Sequence, residues 1–223
     1  MGVLGDKFSR MKIAAAGVFL WSLMTAFTGV AKNFSHLIVA RALIGVGESA
    51  LTPNAISMLS DLFKQNQRGT ASAIYYLGIP LGVGFGMLIA AFFGPAYGWR
   101  SVFITLGLIG MGLGILTYFL LEPRRGQLDI SFDEDNKSTS IRDIISMTKH
   151  ALYNSKCLTF VIIGSIFLHI PLGAGNFEVL WAVNERGFTA SSYNSLFGIF
   201  FILGGTVGAV LGGVLSDRIS HYF

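Results

Sequence analysis

Six apolar stretches, each long enough to form a membrane-crossing helix, constrain the fold of this 223-residue chain more than any other feature. A helix of about 20 apolar residues crosses the ~30 Å hydrocarbon core of a bilayer. In lipid, such a helix satisfies its backbone polar groups within its own segment. The stretches are residues 13–31, 36–62, 70–92, 101–121, 157–181 and 192–215. The sequence therefore predicts an all-α membrane protein with six transmembrane helices.

Basic residues are distributed unevenly around these stretches. If successive stretches cross in alternate directions, one side holds only Lys32, Arg100 and Arg186. The other side holds Lys7, Arg10, Lys12, Lys64, Arg68, Arg124, Arg125, Lys137, Arg142, Lys149, Lys156 and Arg218. The positive-inside rule then places both chain ends and the longest loop in the cytoplasm, with the plasma (inner) membrane as the expected location. Topology thus accounts for the net charge of +4, and nucleic-acid binding is not indicated.

The first stretch has an alternative interpretation as a signal peptide, because Lys7, Arg10 and Lys12 precede an apolar run. A signal peptide has an apolar region of about 7–15 residues. Residues 13–31 form a longer run, and further stretches follow it. These two observations favour a membrane span.

Motifs for enzyme chemistry are absent from the sequence. Cys157 is the only cysteine, which excludes an intrachain disulfide and a thiolate metal cluster. The phosphate-binding loop G-x4-G-K-[ST] and the H-E-x-x-H and G-x-S-x-G motifs do not occur. We therefore expect no enzyme, no metal and no cofactor.

Two copies of one short pattern stand at opposite ends of the chain. Gly2-Val-Leu-Gly-Asp6-Lys7 and Gly213-Val-Leu-Ser-Asp217-Arg218 share the form Gly-x-Leu-x-Asp-(Lys/Arg), with an offset of 213 − 2 = 211 residues. A repeat at so long a period, filled with membrane-length segments, is typical of the duplicated halves of secondary transporters. The sequence thus indicates an internal duplication.

Arg41 and Glu48 are charged residues within the second apolar stretch. A charge in the bilayer costs at least about 2.5–3.5 kcal/mol and therefore requires an explanation. The seven-residue spacing places both on one helix face, about 10.5 Å apart along the axis. Glu48 is a candidate proton carrier because desolvation raises the pKa of a carboxyl group. Arg41 could pair with an anionic substrate, and the alternative for both is a static ion pair with another helix.

The fifth stretch contains His169, Pro171, Asn176 and Glu178, together with closely spaced glycines. Proline and glycine weaken a helix and free backbone carbonyls, which is frequent in binding-site helices of transporters. His169 could titrate, although a structural donor role is the alternative. Glu178 lies near the outer end, where an exposed position is equally consistent. The candidate proton-coupling or substrate residues are thus Arg41, Glu48, His169, Asn176 and Glu178.

Two glycine stripes predict close helix packing. The third stretch contains Gly78, Gly82 and Gly86, and the sixth contains Gly204, Gly208 and Gly212. Small residues at i, i+4 and i+8 allow two membrane helices to approach closely. The matching stripes therefore predict that these helices face each other or face symmetric partners.

Residues 122–156 form the only sizeable polar segment. Ser140-Ile-Arg-Asp143 has the form of a capping box and would open a short amphipathic helix. Its apolar face would comprise Ile141, Ile144, Ile145, Thr148 and Leu152. This helix is expected to lie along the cytoplasmic membrane interface, although a plain linker is the alternative. The predicted organisation is four spans in residues 1–121, this loop, and two spans in residues 157–223.

Several of these motifs resemble the major facilitator superfamily of transporters. Residues 2–10 are similar to its signature loop between helices two and three, with Ser9 where glycine is usual, and residues 213–218 to the loop after helix eight. Residues 41–48 resemble its fourth-helix motif. The spinster-like branch is most similar, on the segments Asp61-Leu-Phe, Gly78-Ile-Pro80-Leu-Gly82, Trp99-Arg100 and Glu122-Pro123-Arg124-Arg125-Gly126.

The resemblance implies that the six stretches correspond to helices three through eight of a twelve-helix transporter. The second and fifth stretches would then line the central cavity, and the glycine-striped stretches would pack across the interface between halves. Latch contacts on the cytoplasmic side would involve the two loops, with Asp6, Lys7, Arg10, Asp217 and Arg218. The remaining helices, or another copy of the chain, would be needed to complete the fold.

The function implied is alternating-access transport of a small or amphipathic, lipid-like solute, with proton coupling through Glu48 as a hypothesis. The alternative is a non-transporting, truncated membrane scaffold or assembly subunit. The Arg41–Glu48 pair and the latch loops favour transport, whereas the missing helices favour the scaffold.

Overall fold

The computed structural model describes Gly5, residues 8–126 and residues 141–220, and the regular secondary structure in these ranges is helical. This confirms the predicted all-α class. The helices are α1 (Arg10–Val30), α2 (Phe34–Leu62), α3 (Arg68–Tyr76), α4 (Gly78–Tyr118), α5 (Ile141–Asn154), α6 (Lys156–Ala174), α7 (Glu178–Arg186) and α8 (Ala190–Ser220). Single 3-10 turns occupy Gln65–Gln67 and Gly175–Phe177.

Side-chain caps define where the first two helices begin. The Ser9 hydroxyl accepts a hydrogen bond from the backbone N–H of Lys12 at 3.3 Å. The Asn33 side-chain oxygen accepts one from the backbone N–H of His36 at 2.9 Å. Each cap satisfies a backbone donor that the first helical turn leaves without a partner. Asn33 thus starts α2 three residues after the end of α1, and the two helices form a hairpin.

Helix α4 contains both the third and the fourth predicted spans. A straight helix of 41 residues would be about 60 Å long, twice the ~30 Å hydrocarbon core. The helical path breaks at Gly98, whose φ of 78° is a backbone conformation that favours glycine. Gly98 therefore divides α4 into a first arm, residues 78–97, and a second arm, residues 99–118.

A half-open cavity of about 380 Å³ lies between the two arms of α4, lined from the first arm by Phe93 and Tyr97 and from the second by Ser101 and Thr105. Two residues after the break at Gly98, the Arg100 guanidinium donates a hydrogen bond to the Ala31 carbonyl at 3.2 Å. That bond links the beginning of the second arm to the end of α1.

By length and composition, four described segments can cross a membrane: 10–30, 34–62, 68–118 and 190–215. Residues 68–118 hold two of the predicted spans. The fifth predicted span, 157–181, is not one helix, because the 3-10 turn Gly175–Phe177 separates α6 from α7. The break falls beside Gly175, consistent with the weakened helix predicted there.

Helix α1 lies between α2 and the second arm of α4, and glycines allow the approach. A Cβ added at Gly17 would lie 2.7 Å from both the Gly47 carbonyl oxygen and the Ala50 Cβ of α2. A Cβ added at Gly107 would lie 2.7 Å from the Ala26 Cα of α1. Because these distances are below van der Waals contact, only glycine fits at such positions.

The predicted glycine stripes are not the residues at which the first arm of α4 meets α8. A Cβ at Gly78, Gly82, Gly86, Gly204, Gly208 or Gly212 would meet no atom within 4 Å in the described part of the chain. The helices do approach each other, but through the opposite face of the first arm and a neighbouring face of α8. A Cβ at Gly198 would lie 2.8 Å from the Gly84 carbonyl oxygen, and one at Gly205 would lie 3.0 Å from Pro80. In the described residues the two helices therefore meet at Gly84 and Gly198 rather than at the stripes, and packing of the stripes against other partners stays a prediction.

By contacts the chain divides into two compact units, residues 1–130 with 191–223, and residues 131–190. We call these unit 1 and unit 2. Helix α8 groups with unit 1 because its glycines lie against the first arm of α4. The predicted boundaries instead placed α8 with residues 157–223, and that assignment to a second bundle stays a prediction.

The predicted amphipathic helix is present as α5, Ile141–Asn154, in unit 2. Ser140, the proposed cap, lies outside the described residues, as do the side chains of Ile141, Ile144, Ile145 and Thr148. Placement of α5 along the membrane interface therefore stays a prediction.

Candidate functional site

The Arg10 side chain, at the first residue of α1, is only 5 % exposed and contacts two carboxylates. Its Nη1 lies 2.6 Å from Asp61 Oδ2 near the end of α2. Its Nε lies 3.1 Å from Glu122 Oε1, just beyond the second arm of α4. The backbone N–H of Arg10 also donates to Glu122 Oε1 at 3.1 Å. One residue thus joins the ends of three helices.

Two further guanidinium donors of Arg10 are used. Nη1 donates to the Ser57 hydroxyl at 2.8 Å, and Nη2 to the Pro123 carbonyl at 3.3 Å. A planar guanidinium presents five donors in a fixed arrangement, which suits a site where acceptors converge from several segments. A lysine ammonium could not reproduce this geometry, so the site is specific for arginine.

The second arginine of the site, Arg125, holds the segment that precedes α1. Its Nη2 donates to the carbonyls of Gly5 at 2.7 Å and Phe8 at 2.8 Å. The other oxygen of Asp61, Oδ1, accepts from the Gly126 N–H at 3.0 Å. We call Arg10, Ser57, Asp61, Glu122 and Arg125 the Arg10 cluster. It contains two positive and two negative side chains, so its formal charges balance.

Charge balance is essential because the centre of the Arg10 cluster is buried. The Asp61 side chain is 7 % exposed, and a buried charge is tolerated when it is paired and hydrogen-bonded. Burial raises the pKa of the Glu122 carboxyl group. Hydrogen bonds from Ser9 and Arg10, together with the Arg10 charge, outweigh burial and hold the pKa of Glu122 below its ordinary 4.5. Glu122 is therefore ionised at neutral pH.

The lowered pKa of Glu122 predicts how stability responds to acid. A carboxylate whose pKa is lower in the folded state stabilises the fold above its unfolded pKa and loses this effect as the pH falls through the folded value. We expect the unfolding temperature to hold between about pH 7 and 5 and to fall as the pH drops below about 4.5. Thermal unfolding of the purified protein across this range measures the effect.

A matched pair of variants separates Glu122 from the other carboxylates. Glu122→Gln should unfold at a lower temperature at neutral pH and should lose part of the acid-induced decline. Glu185→Gln, at an exposed position outside the cluster, should follow the unsubstituted protein. An acid profile unchanged by Glu122→Gln would contradict the assignment.

Of the five predicted latch residues, the structure places Arg10 in the Arg10 cluster. Asp6 and Lys7 lie outside the described residues, as does the side chain of Asp217. Arg218 is exposed. Residues 213–218, expected in a loop, lie within α8, and contacts between the two repeated segments stay predictions. The partners seen for Arg10 are Asp61 and Glu122, to which sequence reasoning assigned no role. The available signal was that each stands at the end of an apolar stretch on the same side of the membrane as Arg10.

Arg41 and Glu48 are both exposed on α2. They lie on the face away from Gly47 and Ala50, which contact α1. Within the described ranges, neither charged side chain has a hydrogen-bond or ion-pair partner. One turn further along, the Thr52 hydroxyl lies 3.3 Å from the Tyr75 hydroxyl. This face of α2 therefore carries a polar stripe, Arg41, Glu48 and Thr52, of which only Thr52 contacts another helix in the described ranges, through Tyr75 of α3.

The candidates of the fifth stretch lie in unit 2. Glu178 is exposed and begins α7. The side chains of His169 and Asn176 lie outside what the structure describes, so their proposed roles stay predictions. Among the described residues, no group of three or more His, Cys, Asp or Glu side chains could hold a metal ion.

Comparisons with known proteins identify relatives of the whole chain. The family model described as "Major Facilitator Superfamily" matches residues 1–223. The "Sphingosine-1-phosphate transporter SPNS2" of Danio rerio is 30 % identical over 227 residues, covering 96 % of this chain and 45 % of that protein. "Protein spinster" of Drosophila melanogaster is 28 % identical over 232 residues, with 98 % and 36 % covered.

A human relative, "Protein spinster homolog 1", is 28 % identical over 234 residues, covering 99 % of this chain and 44 % of that protein. These matches confirm the resemblance predicted from residues 2–10, 41–48 and 213–218. The chain spans less than half the length of these three relatives.

Proposed function

Because the chain belongs to the Major Facilitator Superfamily, a family of transporters, we propose that the whole protein carries an amphipathic, lipid-like solute across the membrane by alternating access. The chain is part of an integral multi-pass membrane protein, as its apolar helices and its family establish. The proposal of a lipid-like solute comes from the SPNS2 relative, whose name states that it transports sphingosine 1-phosphate.

The observation that carries this proposal is the Arg10 cluster. Alternating access requires an element with two arrangements that can be held and released. Arg10 holds the beginning of α1, the end of α2 and the segment after α4 through a few charged contacts. We propose that the cluster is one part of a lock and that Asp6 and the end of α8 at Asp217 form the other part. By the positive-inside rule we place this lock on the cytoplasmic side.

The polar stripe on α2 supports the proposed position of the transport pathway. Arg41 and Glu48 would each cost at least about 2.5–3.5 kcal/mol if they faced lipid. We therefore propose that this face of α2 lines the water-filled cavity of the complete transporter. In that position Glu48 would carry the coupled proton, and Arg41 would attract the anionic part of the substrate.

Proton coupling can be tested on the full-length protein in proteoliposomes. We expect an inwardly directed proton gradient to stimulate uptake of sphingosine 1-phosphate, and Glu48→Gln to abolish that stimulation while leaving gradient-independent exchange. The physical reason is that glutamine preserves the size and polarity of the side chain but cannot bind and release a proton. The measurement is the ratio of substrate uptake with the proton gradient to uptake without it, for the unsubstituted protein and for Glu48→Gln.

The matched control is Glu185→Gln, an equal charge change at an exposed position on α7. It should keep the full response to the gradient. If Glu48→Gln also keeps that response, Glu48 is not the proton carrier. If the unsubstituted protein shows no substrate-dependent flux at all, the scaffold function is favoured instead.

A further inference from the structure

A groove separate from the Arg10 cluster and from the polar stripe runs between α1 and the second arm of α4. Its volume of about 410 Å³ falls within the ~300–1,000 Å³ typical of ligand sites. Its sides are formed by Ala15 and Phe19 of α1 and by Ile115 and Tyr118 of α4. Gly114 lets the helices meet there, since a Cβ at this position would lie 3.0 Å from the Phe19 backbone nitrogen.

One end of the groove is positively charged. Lys12 is exposed at this end, and its Nζ lies 5.8 Å from the centre of the Tyr118 ring. In the part of the chain that the structure describes, no carboxylate pairs with Lys12. An ammonium that is held over an aromatic ring and not neutralised by an acid is suited to an anionic ligand.

The remainder of the groove is suited to hydrocarbon. Ile115 and Tyr118 are 51 % and 52 % exposed, and Phe19 is 36 % exposed, although all three belong to membrane-length helices. Lys12 and Phe19 are seven residues apart, which is about 10 Å along the helix axis. Lysine and tyrosine favour the headgroup level of a bilayer, which places Phe19 at acyl-chain depth.

We propose that this groove binds one anionic phospholipid of the surrounding bilayer, with its phosphate at Lys12 and an acyl chain along Phe19 and Ile115. The observations favour a lipid over a soluble anion because the charged end continues into an apolar channel of membrane depth. They favour an anionic headgroup over a zwitterionic one because Lys12 is the charge at the mouth. Basic residues between membrane helices attract anionic lipid headgroups in this way.

The position of the groove gives the bound lipid a structural effect. Lys12 lies two residues after Arg10, and Tyr118 lies four residues before Glu122. A lipid that contacts both Lys12 and Tyr118 therefore bridges the same two chain segments that the Arg10–Glu122 ion pair joins. Occupancy should thus stabilise unit 1 against separation of α1 from α4.

Native mass spectrometry and thermal unfolding of the purified full-length protein test this proposal. The probes are phosphatidylglycerol and phosphatidylcholine with identical acyl chains, and glycerol phosphate without chains. We expect phosphatidylglycerol to bind selectively and to raise the unfolding temperature, and glycerol phosphate to have no effect. Lys12→Gln should weaken phosphatidylglycerol binding roughly fivefold, the factor corresponding to about 1 kcal/mol per basic residue near the membrane surface.

Three variants make the test specific. Lys12→Arg should retain selectivity for phosphatidylglycerol, because the charge is kept. Lys64→Gln removes a charge from an exposed residue outside the groove and should also retain it. Ala16→Phe fills the groove from an exposed position on α1 and should reduce the binding of both phospholipids. Unfolding in phosphatidylcholine nanodiscs shows that each lysine variant is folded.

Several outcomes would overturn the proposal. Equal effects of Lys12→Gln and Lys64→Gln would show only general attraction to a charged surface. Equal binding of the two phospholipids would remove the anionic specificity. A higher unfolding temperature with glycerol phosphate alone would identify a soluble-anion site. Unchanged phospholipid binding by the Ala16→Phe variant would show that no acyl chain enters the groove.

Discussion

Replacing Arg10 by alanine should destabilise the protein by about 3–5 kcal/mol, the cost of removing one partner from a buried ion pair. The cost is large because Asp61, whose side chain is 7 % exposed, would remain buried without its main ion-pair partner. Glu122 would lose both its guanidinium contact and part of the environment that lowers its pKa. Unfolding of the purified protein in mixed micelles, compared with the unsubstituted protein, measures the change.

Two further variants distinguish a lost charge from a lost geometry. Arg10→Lys keeps the positive charge but cannot contact Asp61, Ser57 and Glu122 together, so it should recover only part of the stability. The double substitution Arg10→Ala with Asp61→Asn should cost less than the sum of the two single substitutions, because it no longer leaves a buried charge unpaired. Full recovery by Arg10→Lys, or strict additivity, would contradict the described contacts.

The same Arg10 variants address the proposed lock in the full-length transporter. If the cluster holds one conformation, Arg10→Ala should shift the population toward the other, which labelling of single cysteines on the two membrane sides would detect. A variant that loses stability without any shift in labelling would indicate a purely structural cluster.

Adding one methyl group at Gly107 should destabilise the protein by about 1–3 kcal/mol, the usual cost of overpacking. The Cβ would lie 2.6 Å from the Ala26 Cβ and 2.7 Å from the Ala26 Cα. Because the obstructing atoms include the backbone of α1, no rotation of a side chain can relieve the contact. The second arm of α4 must then move away from α1, and equilibrium unfolding measures the cost.

The matched control lies five residues away on the same arm. A Cβ at Gly112 would meet no described atom within 4 Å, so Gly112→Ala should be neutral or stabilising, since alanine is favoured over glycine in a helix by roughly 0.5–1 kcal/mol. The two substitutions are chemically identical and differ only in what surrounds them. Equal unfolding free energies for the two variants would show that the α1–α4 contact is not as close as described.

The helices themselves were largely predictable. The first two predicted stretches, 13–31 and 36–62, differ by at most three residues from α1 and α2. Their apolar runs are local, and Ser9 and Asn33 supply local caps. The break between the third and fourth stretches was expected in the gap between residues 92 and 101. Only the backbone of Gly98, with φ of 78°, decides which residue bends the chain.

The contacting faces were not predictable from spacing. Both the first arm of α4 and α8 carry glycines on more than one face, so the stripe at Gly78, Gly82 and Gly86 was as reasonable a contact as Gly84. The contact at Gly84 and Gly198 results from how the two helices are rotated about their axes. That rotation depends on all the helices packed against each one, so the spacing of glycines in the sequence does not determine it.

The sequence by itself determined that this chain is an all-α membrane protein of a transporter family, because hydropathy, length and short motifs are local properties. Only the tertiary structure decided which charges meet. Arg10, Asp61 and Glu122 are separated by 51 and 61 residues along the chain. Their pairing follows from the hairpin at Asn33 and the bend at Gly98, which return three helix ends to one place. A buried arginine selects its partners by distance and desolvation, and both are properties of the folded chain.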